Sequence, residues 1–329
     1  KVVVFTVFIP FIFQSRTHIE CLILAIIFSV STIAFSAGVK TALGSGGYGV
    51  LAIMGSNNTG LSEGSTLATV GVMTLPLIHF VYRHSIVFAH TRYFKPIILA
   101  IACTIALAVI GTNARTGLIT GLLLLVIYVL RSKRKLLWIL LILAAAGIAS
   151  MKDLSNTAWG NRMSTINAYE KESSALGRIR VWQWTLGFVA ENPLGGGFDA
   201  FKLNRIAAVK EDGNVYYDPG VVRGKAFHNI FFEVLGEQGI VGFATYITVI
   251  LLTFVGLANI RKQCRDRSEL AWASDLALRL RDALAILLTG GMFIGIAYQS
   301  YIFYLIAMSV VLSQLIVKDK RAVLDVNNI

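Results

Sequence analysis

Long apolar runs, repeated along most of the chain, limit what this sequence can fold into. A transmembrane helix needs about 20 mostly apolar residues, and we count about nine such runs. Hydrophobic residues make up 56% of the 329 residues and charged residues only 15%, whereas soluble domains carry about 25% charged residues. The sequence therefore predicts an all-α polytopic membrane protein. Its predicted spans are 1–13 (incomplete), 19–37, 62–82, 96–112, 115–130, 136–150, 230–258, 283–299 and 302–317.

Basic residues between these spans are concentrated on one side of the membrane. Short loops rich in Lys and Arg stay in the cytoplasm, so this side is predicted to be cytoplasmic. The formal net charge of +12 follows this topology and forms no basic face with interleaved aromatic residues, so no nucleic-acid partner is expected. The predicted cytoplasmic residues are Arg16, Arg83, Arg92, Lys95, Arg131, Lys133, Arg134, Lys135, Arg261, Lys262, Arg265, Arg267, Arg279, Arg281, Lys318, Lys320 and Arg321.

The same topology divides the chain into three regions. Residues 1–150 are the N-terminal transmembrane helices, 151–229 form one large periplasmic loop, and 230–329 are the C-terminal helices with a cytoplasmic tail. Because the first visible span would begin outside, we expect an odd number of spans before Lys1. Loops as long as 151–229 are usually functional.

A predicted amphipathic helix over 173–191 is the first candidate site within this loop. Arg178 and Arg180 fall in or near its first turn, where the helix dipole disfavours cations. Two arginines beside exposed N–H groups suit a bound anion, above all phosphate. The alternative is that both side chains extend towards lipid headgroups.

Arg115 is unusual because it begins an apolar run on the side that is poor in basic residues. A charge at that depth is costly and usually faces a cavity or an anionic partner. We therefore predict a functional role for Arg115, with a structural ion pair as the alternative.

His228 lies where the large loop enters a long apolar run. A helix N-terminus disfavours the protonated imidazole, so a neutral ring could act as a general base, although a lone His is often structural. Glu233 and Glu237 share a helical face and could orient His228, pair with an Arg or hold a substrate hydroxyl. Close helix packing is the predicted role of the nearby glycines, Gly236, Gly239 and Gly242.

Metal and nucleotide chemistry have little support in the sequence. Asp199, Asp212 and Asp218 are isolated, and no Asp-x-Asp pair is present to hold a divalent ion. Walker, dinucleotide-binding and serine-hydrolase motifs are also missing from the sequence. We expect no metal site.

An ordered set of motifs between about 115 and 245 resembles the O-antigen ligase and polymerase superfamily, which includes O-glycosylation ligases. The set comprises Ala114-Arg115-Thr116-Gly117, Gly177-Arg178, Trp182, Asn192-Pro193-Leu194-Gly195-Gly196-Gly197-Phe198, His228-Asn229 and Glu237-Gln238-Gly239-Ile240-Val241-Gly242. The resemblance implies about twelve membrane helices in the full-length protein, each long enough to span the bilayer, and one large periplasmic loop with amphipathic helices.

The resemblance also implies a chemistry. A glycan would pass from undecaprenyl pyrophosphate to an acceptor at the periplasmic face of the bacterial inner membrane, without a metal or other cofactor. His228 would take the proton from the acceptor hydroxyl, while Arg115 and Arg178, with Arg180, would hold the pyrophosphate. A single displacement of this kind inverts the anomeric centre. Supporting roles are expected for Trp182, Asn229, Glu233 and Glu237.

The acceptor distinguishes the members of this superfamily. Ligases use the lipid A-core of lipopolysaccharide, protein O-oligosaccharyltransferases use Ser or Thr, and O-antigen polymerases use another lipid-linked repeat; we expect them in that order. Membrane lipids are further expected partners. The non-enzymatic alternative is a transporter of lipid-linked anionic substrates, for which internal repeats or paired broken helices would be expected.

Overall fold

The computed structural model describes residues 2–44, 61, 63–135, 173–209, 215–217 and 224–327. The predicted span 136–150 and the start of the large loop, 151–172, lie outside these residues. The chain forms two compact units. The first comprises Lys1–Thr120, Thr248–Leu288 and Tyr298–Ile329, and the second comprises Gly121–Ile247 and Thr289–Ala297.

Helices dominate the described residues. Five of them are long and apolar enough to cross a membrane, which confirms the prediction of a multi-pass helical membrane protein; they are α2, α3, α4, α7 and the segment Ser300–Lys318 of α9. The helix bounds are α1 Val2–Ile12, α2 Arg16–Ala42, α3 Gly64–His84, α4 Phe94–Gly111, α5 Arg115–Arg131, α6 Ser173–Glu191, α7 Ile230–Cys264, α8 Ala271–Gly291 and α9 Ser300–Asn327.

In the first unit, α2, α3 and α4 pack against one another, and α9 contacts both α1 and α2. Small residues allow this close approach. A side chain on Gly38 would meet the backbone of Thr104, and one on Gly111 would collide with the side chain of Thr41. Tight van der Waals contact of this kind replaces the hydrophobic driving force that lipid cannot supply between helices.

The predicted span 283–299 is wrong at both ends. Its helix, α8, begins at Ala271 and ends at Gly291, and residues 292–299 form turns and bends. Gly290 and Gly291 close the helix, as glycines commonly do. The early start places charged residues inside α8, which is why this helix is not among the five apolar spans.

Charges within α8 are paired inside the first unit. Arg279 lies 3.0 Å from Asp275 and 3.8 Å from Asp282, and Asp275 also lies 3.3 Å from His84 of α3. Pairing reduces the cost of burying charge. Arg279 and Arg281, which the sequence predicted in a cytoplasmic loop, lie instead within α8.

The described part of the second unit contains α6, a two-stranded antiparallel ribbon and the first part of α7. The bounds of α6 agree with the amphipathic helix predicted over 173–191. The ribbon pairs β1 (Ile206–Val209) with β2 (Val215–Tyr217), and β1 packs on α6. Sequence analysis did not predict this ribbon because strands of three or four residues carry too little alternation to recognise.

Candidate active site

His228 has an unusual backbone conformation that is fixed by its neighbours. Its φ angle is +49°, a left-handed value that costs a non-glycine residue about 1–3 kcal/mol. Just before it, Phe227 is buried in an apolar core with Val181 and Ile206. Trp182 of α6 donates a hydrogen bond from Nε1 to the Phe227 carbonyl at 2.8 Å. Contacts with α6 thus hold the backbone of His228 in this strained conformation. The free energy of this packing outweighs the cost of the strain.

Trp182 also supports the start of α7. Its indole stacks on Phe232, with ring centroids 5.1 Å apart and planes only 2° from parallel. Stacked aromatic pairs contribute about 0.5–1.5 kcal/mol beyond their buried area. The predicted supporting residue therefore acts by positioning the backbone on both sides of His228.

Asn229 caps the N-terminus of α7. Its Oδ1 accepts hydrogen bonds from the amides of Phe231 at 2.9 Å and Phe232 at 3.4 Å, and its side chain is buried. Such a cap is typical of Asn and satisfies amides that the helix leaves free. His228 therefore lies at the helix N-terminus, as predicted, and Asn229 explains where the helix begins.

Arg178 and Lys225 are the charges that act on His228. Burial first, then Arg178 and then Lys225, lower the pKa of His228 below its ordinary value. Burial and Arg178 likewise lower the pKa of Lys225. Because a lowered pKa leaves more imidazole neutral near pH 7, His228 is poised to accept a proton.

Lys225 is a candidate site residue that sequence analysis did not assign. A side chain on Gly177 would collide with its ammonium group, so this glycine makes room for Lys225 against α6. Buried Asn204 holds the Lys225 backbone, donating to its carbonyl at 2.8 Å and accepting from its amide at 2.9 Å. The available signal was the basic pair in Arg223-Gly-Lys225, which no periodicity linked to α6.

The two half-buried cations, Arg178 and Lys225, have no acidic partner among the residues that the structure describes. Like charges held together away from water repel each other. Arg178 lies in the second turn of α6, so the helix dipole contributes less than the sequence suggested. An arrangement of this kind is suited to a bound anion.

Arg180 is placed differently from Arg178. Its side chain is exposed, and residues two apart on a helix project in nearly opposite directions. The charges that act on His228 are those of Arg178 and Lys225. Arg178 and Arg180, which sequence analysis assigned to one anion site, therefore project from different sides of α6.

A break in α7 receives the glycine-rich loop that follows α6. Gly239 has φ +65° and ψ −165°, so the helical hydrogen bonds around it are interrupted. The amides of Gly196 and Gly197 donate to the carbonyls of Gly236 and Glu237, both at 2.9 Å, and the amide of Ile240 donates to the Pro193 carbonyl at 2.9 Å. Backbone groups freed by the break are therefore satisfied by the loop, as burial requires.

Of the nearby glycines, Gly236 has the predicted packing role, whereas Gly239 has a different role. A side chain on Gly236 would meet the Phe227 ring at 2.6 Å, so Gly236 permits close packing beside His228. Gly239 instead supplies a backbone conformation that side chains disfavour. It terminates one helical segment and starts the next.

Glu233 and Glu237 both bind backbone amides. Glu237 Oε1 accepts from Asp199 at 2.9 Å, and Glu233 Oε2 accepts from Ala297 at 3.0 Å. Glu237 therefore anchors the end of the glycine-rich loop, and Glu233 anchors the segment after α8. These contacts indicate a further role, the positioning of loops around the start of α7, and the three roles left open by the sequence stay predictions.

Arg115 belongs to the first compact unit, whereas Arg178, Lys225 and His228 belong to the second. It is the first residue of α5 and follows Asn113, whose φ is +48°. Its side chain is half-buried. The predicted position of Arg115 at the start of a helix is therefore confirmed, and its role stays a prediction.

The part of the chain that the structure describes contains no candidate cluster of metal ligands. No group of three His, Cys, Asp or Glu side chains lies close enough together there to hold an ion.

Comparison with known proteins adds two family matches. Residues 1–86 match a family of unknown function, DUF5935, and residues 99–247 match the O-antigen ligase family, Wzy_C. The second match includes Arg115, Arg178, Lys225 and His228. It agrees with the motif set recognised between about 115 and 245.

A curated relative is the exopolysaccharide production protein ExoQ of Rhizobium meliloti (strain 1021). It is 29% identical over 164 residues, which cover 49% of this chain and 36% of ExoQ. This chain therefore aligns with little more than a third of that protein. The match over residues 99–247 shows that this part of the chain is an O-antigen ligase family domain.

Proposed function

We propose that this protein is a glycosyltransferase that moves a glycan from undecaprenyl pyrophosphate to the lipid A-core of lipopolysaccharide, at the periplasmic face of the bacterial inner membrane. The observation that carries this proposal is the group Arg178, Lys225 and His228, in which two cations without a described acidic partner lie beside a His with a lowered pKa. The family match over 99–247 supports the donor class.

The proposed reaction is one displacement at the anomeric carbon of the donor. Neutral His228 takes the proton of an acceptor hydroxyl as its oxygen forms a bond to the anomeric carbon. The bond from that carbon to the pyrophosphate oxygen breaks, and the electron pair leaves on undecaprenyl pyrophosphate. The anomeric configuration is inverted.

Arg178 and Lys225 are proposed to stabilise the negative charge that develops on this leaving group. Fixed cations in a partly buried site act more strongly than the same cations in water and can take the place of a metal ion. Arg115 is proposed as a further pyrophosphate ligand, with a smaller contribution from exposed Arg180. Bound anion would also favour the protonated His that forms during the reaction.

A second candidate function is polymerisation, in which the acceptor is another lipid-linked repeat. ExoQ is an exopolysaccharide production protein, and this favours the alternative. Both reactions use the same donor chemistry, so the proposed roles of Arg178, Lys225 and His228 are unchanged. A protein O-oligosaccharyltransferase would differ only in using a Ser or Thr hydroxyl.

The test is a transfer assay with the full-length protein, undecaprenyl-pyrophosphate glycan and EDTA, but no nucleotide. Lipid A-core, a second lipid-linked repeat and a Ser/Thr peptide are offered in separate reactions. We expect transfer to lipid A-core, a loss of about 100-fold or more in H228A, and a loss of about 100-fold in R178Q and K225Q.

The matched control is R205Q, which removes an exposed arginine of the same unit and should transfer normally. Lengthened lipid-linked glycan would identify a polymerase, and a glycosylated peptide would identify a protein glycosyltransferase. Donor binding without transfer to any acceptor would contradict the enzymatic proposal and favour a transporter.

A further inference from the structure

A basic cavity lies in the first unit, at the end of α3 and the start of α4. Its volume is about 380 Å³, it is open to solvent, and it is lined largely by the connecting segment 85–93. Three cations line it: Arg83, Arg92 and Lys95. The reaction proposed above uses none of these residues.

The charge of this cavity is not balanced by its own walls. No Asp or Glu is among the described residues that line it, and none of its three cations forms an ion pair within the described chain. Lys95 Nζ lies 5.6 Å from the centre of the Tyr82 ring. A cation over an aromatic face keeps its full charge for a ligand.

A buried carboxylate holds the cavity wall in shape, and its oxygens accept hydrogen bonds from that wall. Glu20 of α2 accepts hydrogen bonds from the amides of Ile86 at 2.9 Å and Val87 at 3.1 Å, and from the Ser85 hydroxyl. Phe88 and Phe94 stack with ring centroids 4.8 Å apart. A site that is shaped before its ligand arrives binds at lower entropic cost.

The location of the cavity determines which anions can reach it. It lies where two candidate membrane spans, α3 and α4, end and begin, on the side that the basic residues predict to be cytoplasmic. On α4, Leu99 and Ile110 are 56% and 64% exposed and lie on the same helical face as Lys95, so an apolar surface runs along α4 beside the cations. Basic pockets at the cytoplasmic ends of transmembrane helices are suited to anionic lipid headgroups.

We propose that this cavity binds the phosphate group of an anionic phospholipid, with Arg83, Arg92 and Lys95 as its ligands and the acyl chains along the exposed face of α4. A cytoplasmic phosphate compound without acyl chains would share the phosphate contacts but not the apolar ones. The two sources can therefore be separated by experiment.

The experiment measures lipid binding by native mass spectrometry of the full-length protein in a neutral detergent. The probes are dioleoyl phosphatidylglycerol, dioleoyl phosphatidylcholine and sn-glycerol 3-phosphate. Phosphatidylglycerol is expected to bind at least tenfold more tightly than either of the other two. Because each surface cation contributes about fivefold to the binding of an anionic lipid, R83Q/R92Q/K95Q should weaken its binding by about 100-fold.

The matched control is K133Q/R134Q/K135Q, which removes three exposed cations from another predicted cytoplasmic segment and should change the affinity less than twofold. Should the triple variant at the cavity fail to fold, R92Q/K95Q, which keeps Arg83, is expected to lose about 25-fold. An equal loss in the control would overturn the proposal in favour of diffuse surface charge. Equal binding of phosphatidylcholine, or of sn-glycerol 3-phosphate, would overturn the assignment to an anionic lipid.

Discussion

Gly195 and Gly239 meet backbone to backbone: a Cβ placed on Gly195 would lie 2.5 Å from the Gly239 nitrogen, and one on Gly239 would lie 2.6 Å from the Gly195 nitrogen. Both residues have positive φ angles, +77° and +65°. Through this contact the loop after α6 enters the break in α7. It therefore couples the helix that carries Arg178 to the helix that begins beside His228.

Substitution of Gly239 by Ala should destabilise the protein by about 1–3 kcal/mol, because the added methyl group meets backbone that cannot move aside and the positive φ becomes strained. The measurement is the unfolding midpoint of the purified protein in detergent. The control is G187A: Gly187 lies inside α6 with open space around it, so Ala should stabilise the helix by up to about 1 kcal/mol. Wild-type stability of G239A would show that the docked loop does not need this glycine.

Relief of strain at His228 should separate stability from activity. H228G and H228A both remove the proposed base, so both should lose glycan transfer by about 100-fold or more. Glycine accepts the φ of +49° without cost, so H228G should be more stable than H228A by about 1 kcal/mol. Thermal unfolding of the two variants checks this difference, and equal stability would contradict the proposed strain.

Removal of the Lys225 charge should change the pH dependence of transfer. Lys225 contributes to lowering the pKa of His228, so K225Q should raise that pKa towards its ordinary value of about 6.5. Neutral His228 is then lost at a higher pH, and the acidic limb of kcat/KM should move to higher pH. K225R, which keeps the charge, and R205Q, which removes an exposed charge that is not among those acting on His228, should leave the limb in place. A limb that moves to lower pH in K225Q would refute the assignment.

Substitution of Trp182 tests whether its hydrogen bond to the Phe227 carbonyl positions His228. W182F keeps an aromatic ring for Phe232 but removes the 2.8 Å hydrogen bond to the Phe227 carbonyl, which should cost about 1 kcal/mol of stability. If that bond positions His228, kcat should fall while KM for the donor stays within about twofold, because the cations remain. W184F alters a Trp of the same helix that stacks on Phe188 and should leave kcat unchanged.

Several features followed directly from the sequence because they depend on local pattern. Runs of apolar residues predict membrane helices, and α6 was predicted with its observed bounds because its amphipathic segment begins at a serine and ends before Asn192-Pro193. His228 was placed at a helix N-terminus by the change from a polar loop to an apolar run. The ordered motifs pointed to the family that matches residues 99–247.

Other features were decided by contacts between residues far apart in the chain. The early start of α8 depends on burying Arg279 beside two Asp residues, so hydropathy alone misplaced that helix. The break at Gly239 is stable only because a distant loop supplies the missing hydrogen bonds. A sequence read locally cannot identify such partners.

The residues of the candidate site also divide into those that the local sequence indicated and those that tertiary contacts brought together. The sequence by itself determined that this is a multi-pass helical membrane protein with Arg178 and His228 among its notable residues. Only the tertiary structure placed Lys225 beside them and moved Arg180 to an exposed face. The reason is physical: helical period sets the direction of a side chain, but the chain path decides which charges share a low-dielectric environment and so act on one another.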